Sequence, residues 1–407
     1  MPGPLTHLRV LDLSRILAGP WGTQLLADMG AEVIKIERRE SGDDTRGWGP
    51  PFLKDADGND TDESAYFLSA NRAKKSVTVD LASEDGQDII RQLAARSDIL
   101  VENYKVGTLA RYGLSYDDLK AINPRLIYCS LTGFGQTGPY APLPGYDFVF
   151  QGMSGLMSMT GLPDDEPGGA PMKSGIAISD ILTGMYAGVA VLAALEHRHE
   201  TGQGQHIDLA LLDSVVGLTS YQALNYLLSG KPPGRMGNAH SVMVPYQAFA
   251  CAGGHVIVAV GNDTQFASFC EVLGRPDLAR DPRFRKATGR VRHRHVLVPT
   301  ISDILLTRSM EEWIERMEAA NVPCGPIYTM PQVFEDPQVK HRELLLSLKH
   351  PTGVDVPSLA NPIRFSESPI SYRHPAPTLG QHTVEVLRDQ LGLSPTQIEG
   401  LRANGII

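Results

Sequence analysis

Apolar and polar residues alternate through Leu8-Arg9-Val10-Leu11-Asp12-Leu13, the two-residue period of a β-strand. A run of apolar and small residues from Trp21 to Met29 opens at Gly19-Pro20 and stops at Gly30, as a short helix would. Residues 31–37 return to a strand pattern. A strand, a helix and a strand in quick succession imply a parallel pair joined by a right-handed crossover. Further strands are predicted over 76–81, 98–102 and 125–130, with a helical period over 83–97. Over roughly the first 215 residues the pattern is that of an open α/β layer fold.

The second half reads differently. Residues 211–230 have the pattern of one long helix, broken by Pro232-Pro233-Gly234. Strands follow at 245–249 and 255–260, then helices near 264–273, 297–307 and 310–320. We therefore expect three stretches. Residues 1–225 form the larger domain, 226–330 a smaller α+β domain, and 331–407 a segment that returns to the first. That last segment is rich in Pro and turns over 351–380 and ends in two short helices near 381–391 and 395–403. No internal repeat is visible.

Composition narrows the function classes. A net charge of −9 argues against nucleic acid and against an anionic membrane surface as partners. Cys129, Cys251, Cys270 and Cys324 are scattered without metal-binding spacing, as buried thiols in a reducing compartment would be. The first residues lack the basic and apolar regions of a signal peptide. The longest apolar stretch, Met185 to Leu195, falls short of the ~20 residues of a membrane span. These features lead us to expect a cytoplasmic protein.

No G-x-G-x-x-G follows the first strand and no P-loop pattern occurs, so nothing points to NAD, flavin or ATP, nor does any cluster point to a metal. Gly202-Gln203-Gly204 reads as a tight turn between helix and strand. Gly133, Gly135 and Gly138, within Thr132–Pro139, suit either a surface turn or a loop whose backbone approaches a ligand. Asp180 is the lone carboxylate of the apolar stretch Ser174–Gly188. A carboxylate at the head of an apolar helix is an N-cap, a reacting group, or both.

Several segments, in order, resemble family III CoA-transferases, the CaiB/BaiF or formyl-CoA transferase-like family. They are Val10-Leu-Asp-Leu-Ser-Arg-Ile-Leu-Ala-Gly-Pro20, Leu26-Ala-Asp-Met-Gly-Ala-Glu-Val-Ile-Lys-Ile-Glu37, Gly42-Asp-Asp-Thr-Arg46, Leu68 to Ser76, Val101-Glu-Asn-Tyr104, Pro144-Gly-Tyr-Asp147, Gln151 to Met157, Asp180-Ile-Leu-Thr-Gly184, Arg198 to Gly204, Val322 to Pro326 and Leu379 to Thr383. The resemblance implies a large Rossmann-like domain built from both chain ends, a small central domain, and two subunits interlocked like rings. It implies an enzyme that moves CoA from an acyl-CoA to a small carboxylic acid, with Asp180 as nucleophile, passing through an aspartyl anhydride and an aspartyl-CoA thioester. A carboxylate of ordinary pKa, ~3.9, would be ionised at pH 7 and need no base.

By the same resemblance, Arg38, Lys75, Asn103, Tyr104 and Arg111 match CoA-contacting positions, and Leu17-Ala18 matches a main-chain contact. Where the family often has Gln, this chain has Leu17. Tyr146-Asp147 occupies the place of the His-Asp pair of the related racemases. A phenol of pKa ~10 is a poor base at neutral pH, so Tyr146 counts against an acyl-CoA racemase, isomerase or carnitine-type lyase. It fits instead a residue that orients the acyl group or the nucleophile. The stretches at 43–52, 127–133 and 237–249 are most similar to the succinyl-CoA:dicarboxylate branch, implying succinyl-CoA as donor and glutarate or a similar acid as acceptor. A dicarboxylyl substrate carries a second carboxylate that needs a cation. Arg46, Arg72 and His240 are the candidates for it.

Overall fold

Six strands pair in parallel into one sheet: β1 (Arg9–Asp12), β2 (Glu32–Glu37), β3 (Lys74–Thr78), β4 (Ile99–Glu102), β5 (Ile127–Thr132) and β6 (His206–Ala210). Their order is β3-β2-β1-β4-β5-β6, so the chain reverses direction across the sheet at β1 and β4. Open α/β sheets bind ligands at such a reversal, beyond the carboxyl ends of the strands. This computed structural model describes residues 3–407.

Alternation along the strands sorts the core into two faces. Leu11, Ile34, Ile36, Leu100 and Tyr128 point to one side, where Ile89, Ile90 and Leu93 of the Glu84–Ala94 helix cover them. Val386, Leu387 and Ile398 from the end of the chain join that layer, so the C-terminal segment does return to this unit. Val10, Val33, Ile99, Val101 and Cys129 point the other way, against the Ala18–Asp28 and Ile178–Thr201 helices. Toward the carboxyl ends of β1 and β2 this second face turns polar, with Asp12, Lys35 and Glu37 buried, and Lys74 at the start of β3 is buried with them.

The two helices on that face meet backbone against backbone. A Cβ built on Gly22 would lie 2.8 Å from the Gly184 carbonyl oxygen, and one on Gly184 would lie 2.5 Å from that of Ala18. The Ile178–Thr201 helix has 24 residues, well beyond the apolar run from Met185 to Leu195, and by length and composition could cross a membrane. In this fold Ala187, Val191, Ala194 and Leu195 sit in the core, and Arg198 is buried on Asp98 at 3.1 Å. Gly202 ends the helix in the left-handed conformation (φ 75°), and Gly204 lets the chain pass close to Leu126.

The contacts divide the chain into two units, Met1–Leu156 with Ser174–Leu224 and Gln338–Ile407, and Met157–Lys173 with Asn225–Pro337. Residues 157–173, placed by the sequence in the larger domain, thus belong to the smaller unit. That unit holds an antiparallel sheet of β7 (Tyr246–Cys251), β8 (Gly254–Ala259) and β9 (Cys324–Pro326) in the order β9-β8-β7. Phe249, Val256, Phe266, Phe269, Leu297, Ile301 and Trp313 form its core.

Elsewhere the pattern misled by small shifts. The long helix expected over 211–230 is two, Leu211–Leu218 and Ser220–Ser229, separated where Ser220 takes φ 47°. β3 begins at Lys74 rather than Ser76, because Lys74 turns inward onto Asp12 and breaks the apolar alternation. Two hairpins, Phe52–Lys54 with Asp60–Ser64 and Leu345–Lys349 with Asp355–Leu359, gave no clear signal.

The helix contact generates a paired prediction. Gly184→Ala should cost about 1–3 kcal/mol of stability, because its methyl meets a backbone carbonyl. Gly188→Ala, one turn on, has only the Leu25 Cδ1 at 4.0 Å, and should gain up to ~1 kcal/mol from helix propensity. Urea unfolding of the two variants against wild type checks both signs.

Candidate active site

Buried charges toward the carboxyl ends of β1 and β2, with Lys74 from the start of β3, shape the loop after β1. Asp12 accepts hydrogen bonds from Ser14 N–H (3.0 Å), Thr23 Oγ1 (2.6 Å) and Lys74 Nζ (3.1 Å). Lys35 Nζ donates to Asp43 Oδ2 and to the Ser14 carbonyl, both at 2.9 Å. Burial alone would raise the Asp43 carboxyl, but the Lys35 charge and bonds from Lys35 and Thr45 hold it down at about 2. Burial, against the pull of Asp12, pushes Lys74 down to about 8. Asp43 also accepts the Ile16 N–H (3.2 Å), holding that β-branched residue at φ 70°, where few such residues sit.

Asn103, at the end of β4, clamps the same loop. Its Oδ1 accepts the Arg15 N–H (2.8 Å) and its Nδ2 donates to the Arg15 carbonyl (2.6 Å). The side chain taken by resemblance as a CoA contact therefore bonds the loop through both ends of its amide. Leu17 is buried and leads into the helix that starts at Ala18. The Ala18 N–H is thereby placed to favour the ionised carboxylate of Asp180.

Asp180 lies in the first turn of the Ile178–Thr201 helix, but the N-cap position belongs to Ala177, which has no capping side chain. Asp147 braces that helix start. Its Oδ1 accepts the Ser179 N–H (2.9 Å), and its Oδ2 accepts Gln151 Nε2 (2.7 Å). Gln151, fully buried, accepts the Ser174 N–H (2.8 Å) through its own Oε1. Asp180 is thus left uncommitted to capping. Burial first, and then the nearby Asp147 charge, push its carboxyl up to about 7, with the Ala18 N–H pulling the other way. The expectation of an ordinary, fully ionised carboxylate is corrected: near neutral pH about half of it is protonated. The ionised fraction is poorly hydrated and sheds little water before attack.

Asp180 opens on a cavity of about 210 Å³ lined also by Arg15, Ile16, Ala18, Asn103, Tyr104, Thr132, Gly133 and Tyr146. Gly133 is needed there, since a Cβ would meet the Phe150 ring at 2.6 Å. Tyr146 is 64% exposed. Sequence reasoning missed Tyr66. Burial, then the charges of Asp180 and Asp147, raise its phenol to about 12, which keeps it a protonated donor near the nucleophile. Trp48 stands edge-on to its ring at 5.2 Å. Nothing in the spacing of Tyr66 links it to Asp180; the turn of the Phe52–Ser64 hairpin brings it there.

A second cavity, about 460 Å³, is lined by Arg38, Arg39, Val79, Leu81, Tyr104 and Tyr112, and also by the carboxylates of Glu37, Glu40 and Asp80. Tyr104 lines both cavities, and Arg38 is paired with Asp44. Cations beside apolar and aromatic walls suit a nucleotide's phosphates and base. Lys75 is not brought to either cavity; it pairs with Glu32 (2.9 Å) and Glu385 (2.8 Å). Arg111 stands exposed on the Ala110–Tyr112 turn, its Nη2 3.5 Å from Thr108 Oγ1, and lines neither.

Two of the three candidates for a distal carboxylate are already engaged. Arg46 is buried between Glu37 and Glu63 (2.8 Å each), over the Phe67 ring. Arg72 pairs with Asp28 (2.6 Å) and donates to the Leu359 carbonyl (2.6 Å). His240 lies in the smaller unit, where its Nδ1 accepts the Val242 N–H. Among the described residues no cluster of His, Cys, Asp and Glu could hold a metal ion.

The description "CoA-transferase family III" matches residues 5–383. The chain belongs to that family. It is 47% identical over 386 residues to a succinate–glutarate CoA-transferase of Agrobacterium fabrum, covering 95% of both chains. It is 42% identical over 406 residues to the succinyl-CoA:glutarate CoA-transferase of Homo sapiens, covering 99% of this chain and 90% of that one. A solved CaiB/BaiF family protein from Brucella suis superposes with a TM-score of 0.83 at 45% identity, over 96% of this chain and all of that one. As a CoA-transferase, the enzyme uses an acyl-CoA as donor.

The position of Asp180 predicts a stability cost. Its folded pKa of about 7 lies above the ~3.9 of an unfolded chain, so ionisation opposes folding as pH rises from ~4 through 7. Asp180→Asn should melt a few degrees above wild type at pH 8, and the gap should close near pH 4. Thermal unfolding across that range checks it.

Proposed function

We propose that the enzyme transfers CoA from succinyl-CoA to glutarate or a similar short dicarboxylate. The observation that carries this is Asp180, a poorly hydrated carboxylate at a cavity wall, facing the Ala18 N–H at a helix start. The substrates are those in the names of the Agrobacterium and human relatives, both similar over nearly the full chain.

In this reading the ionised Asp180 attacks the thioester carbonyl, the C–S bond breaks, and an anhydride forms with release of the CoA thiolate. The thiolate attacks the aspartyl carbonyl, releasing succinate and leaving CoA on Asp180 as a thioester. A glutarate carboxylate attacks that thioester, giving a second anhydride and freeing the thiolate. The thiolate then attacks the glutaryl carbonyl, and Asp180 is restored. One activated acyl group replaces another at each step, so no outside energy source is needed. The Ala18 N–H stabilises charge on the aspartyl oxygen in the two steps in which the thiolate or glutarate attacks the aspartyl carbonyl, the task of an oxyanion donor. Tyr66 and Tyr146 offer hydroxyls for positioning. Asp147 and Gln151 hold the helix start that carries the nucleophile. The cavity beside Arg38 and Tyr104 accommodates the nucleotide end of CoA. No histidine lines the Asp180 cavity among the described residues, which leaves the racemase reading without its imidazole base.

We further infer a homodimer, interlocked as in the family, working in the cytoplasm. Exposed Met185, Tyr186, Val189 and Leu192 along the Ile178–Thr201 helix support a partner subunit by offering it an apolar face.

Intact-protein mass spectrometry after mixing with succinyl-CoA tests the chemistry. Wild type should gain a CoA-sized adduct that hydroxylamine removes, and Asp180→Ala should gain none. At subsaturating donor the adduct should form faster as pH rises through about 7, following the ionised fraction of Asp180. Exchange of the substrate α-proton for deuterium without any adduct would overturn the transferase assignment in favour of an isomerase.

A further inference from the structure

A dicarboxylyl group carries a second negative charge into the site, and a carboxylate removed from water needs a cation or several donors. Arg46 and Arg72 are spent on Glu37, Glu63 and Asp28. Among the described residues lining the Asp180 cavity, the cations are Arg15 and Lys105. Lys105 is an exposed side chain, whereas Arg15 is held at several points. Its backbone N–H and carbonyl both bond Asn103, its guanidinium lies 5.7 Å from the Tyr104 ring centre, and Nη1 donates to Asp44 at 2.8 Å. Its Nε is buried and has no hydrogen-bond partner. The side chain is thus oriented from both ends, and Asp44 takes only one of its guanidinium N–H groups, which leaves further donors for an incoming carboxylate.

Arg15 and Asp180 line the same cavity, so a dicarboxylyl chain whose reacting carbonyl meets Asp180 carries its far carboxylate within the same walls as the guanidinium.

We infer that Arg15 receives the distal carboxylate of the dicarboxylyl group and so sets the preference for dicarboxylates over monocarboxylates. This rests on the CoA-transfer reading of Asp180. The carboxylate takes guanidinium donors that Asp44 leaves free, so the pair with Asp44 keeps the guanidinium oriented in the free and loaded site alike.

The test compares succinyl-CoA with butyryl-CoA, which share every phosphate and differ at the far end of the acyl group. The rate of the hydroxylamine-sensitive adduct at subsaturating donor is measured for wild type, Arg15→Gln and Arg15→Lys. Arg15→Gln should slow the reaction of succinyl-CoA by about 10- to 100-fold, the worth of a hydrogen bond to a charged group, and leave that of butyryl-CoA within about threefold of wild type. Arg15→Lys should keep part of the preference. An equal fall for both donors, with Arg15 serving the CoA phosphates or the loop, overturns the inference and leaves the transfer reading intact. Unchanged rates for both also overturn it. No adduct from either donor in wild type overturns the transfer reading and takes the role of Arg15 with it.

Discussion

The approach of two glycines, Gly22 and Gly184, fixes the geometry on which the rest of the site depends. Without side chains between them, the Ala18–Asp28 and Ile178–Thr201 helices touch along their backbones near their starts. That contact brings the first N–H of one helix to a carboxylate in the first turn of the other. Helix starts carry unsatisfied N–H groups and a partial positive charge, and both are put to use on Asp180.

Around this contact the protein sets two electrical environments side by side. Under the loop after β1, Lys35, Lys74, Asp12 and Asp43 neutralise one another in the interior, and Asp43 stays ionised at about 2. At the cavity, Asp180 makes no ion pair, and burial first and then the like charge of Asp147 raise its carboxyl to about 7. Two carboxylates of the same chemical kind thus hold their protons very differently because of what surrounds them. Removing one partner from the structural set would strand a buried charge, so those groups act as a rigid footing for the loop.

Much of the fold was legible in the chain because it follows from local pattern. The alternation of strands and helices gives the parallel sheet, and Gly202 and Gly204 mark a turn where only glycine fits. The motif also singled out Asp180, which the structure places at a cavity wall. Its pKa was not legible, since Asp147 and Ala18 converge on it only in three dimensions. The same limit applies to charged side chains. Lys74, Arg46 and Arg72 look in sequence like surface charges or anion receptors, and are buried on Asp12, Glu37, Glu63 and Asp28. Lys75, its neighbour in the chain, does face outward, because successive residues of a strand take opposite faces. Arg15 carried no signal of its own beyond membership of a motif.

The return of the chain to its first unit has a consequence for biosynthesis. Val386, Leu387, Ile398, Ile406 and Ile407 complete the core against Leu11 and Ile34, and Asp80 N–H bonds the Ile406 carbonyl. A ribosome releases the strands of this sheet long before the last helices that complete the cover of one of its faces. Through that interval the nascent protein carries part of an apolar sheet surface open to water, while the intervening smaller unit can already assemble its own core. Chains with such a gap between exposure and cover present the surface that holding chaperones bind and that aggregation exploits. The demand on the cell's folding machinery is thus written into the order of segments along the chain, apart from the stability of the finished enzyme.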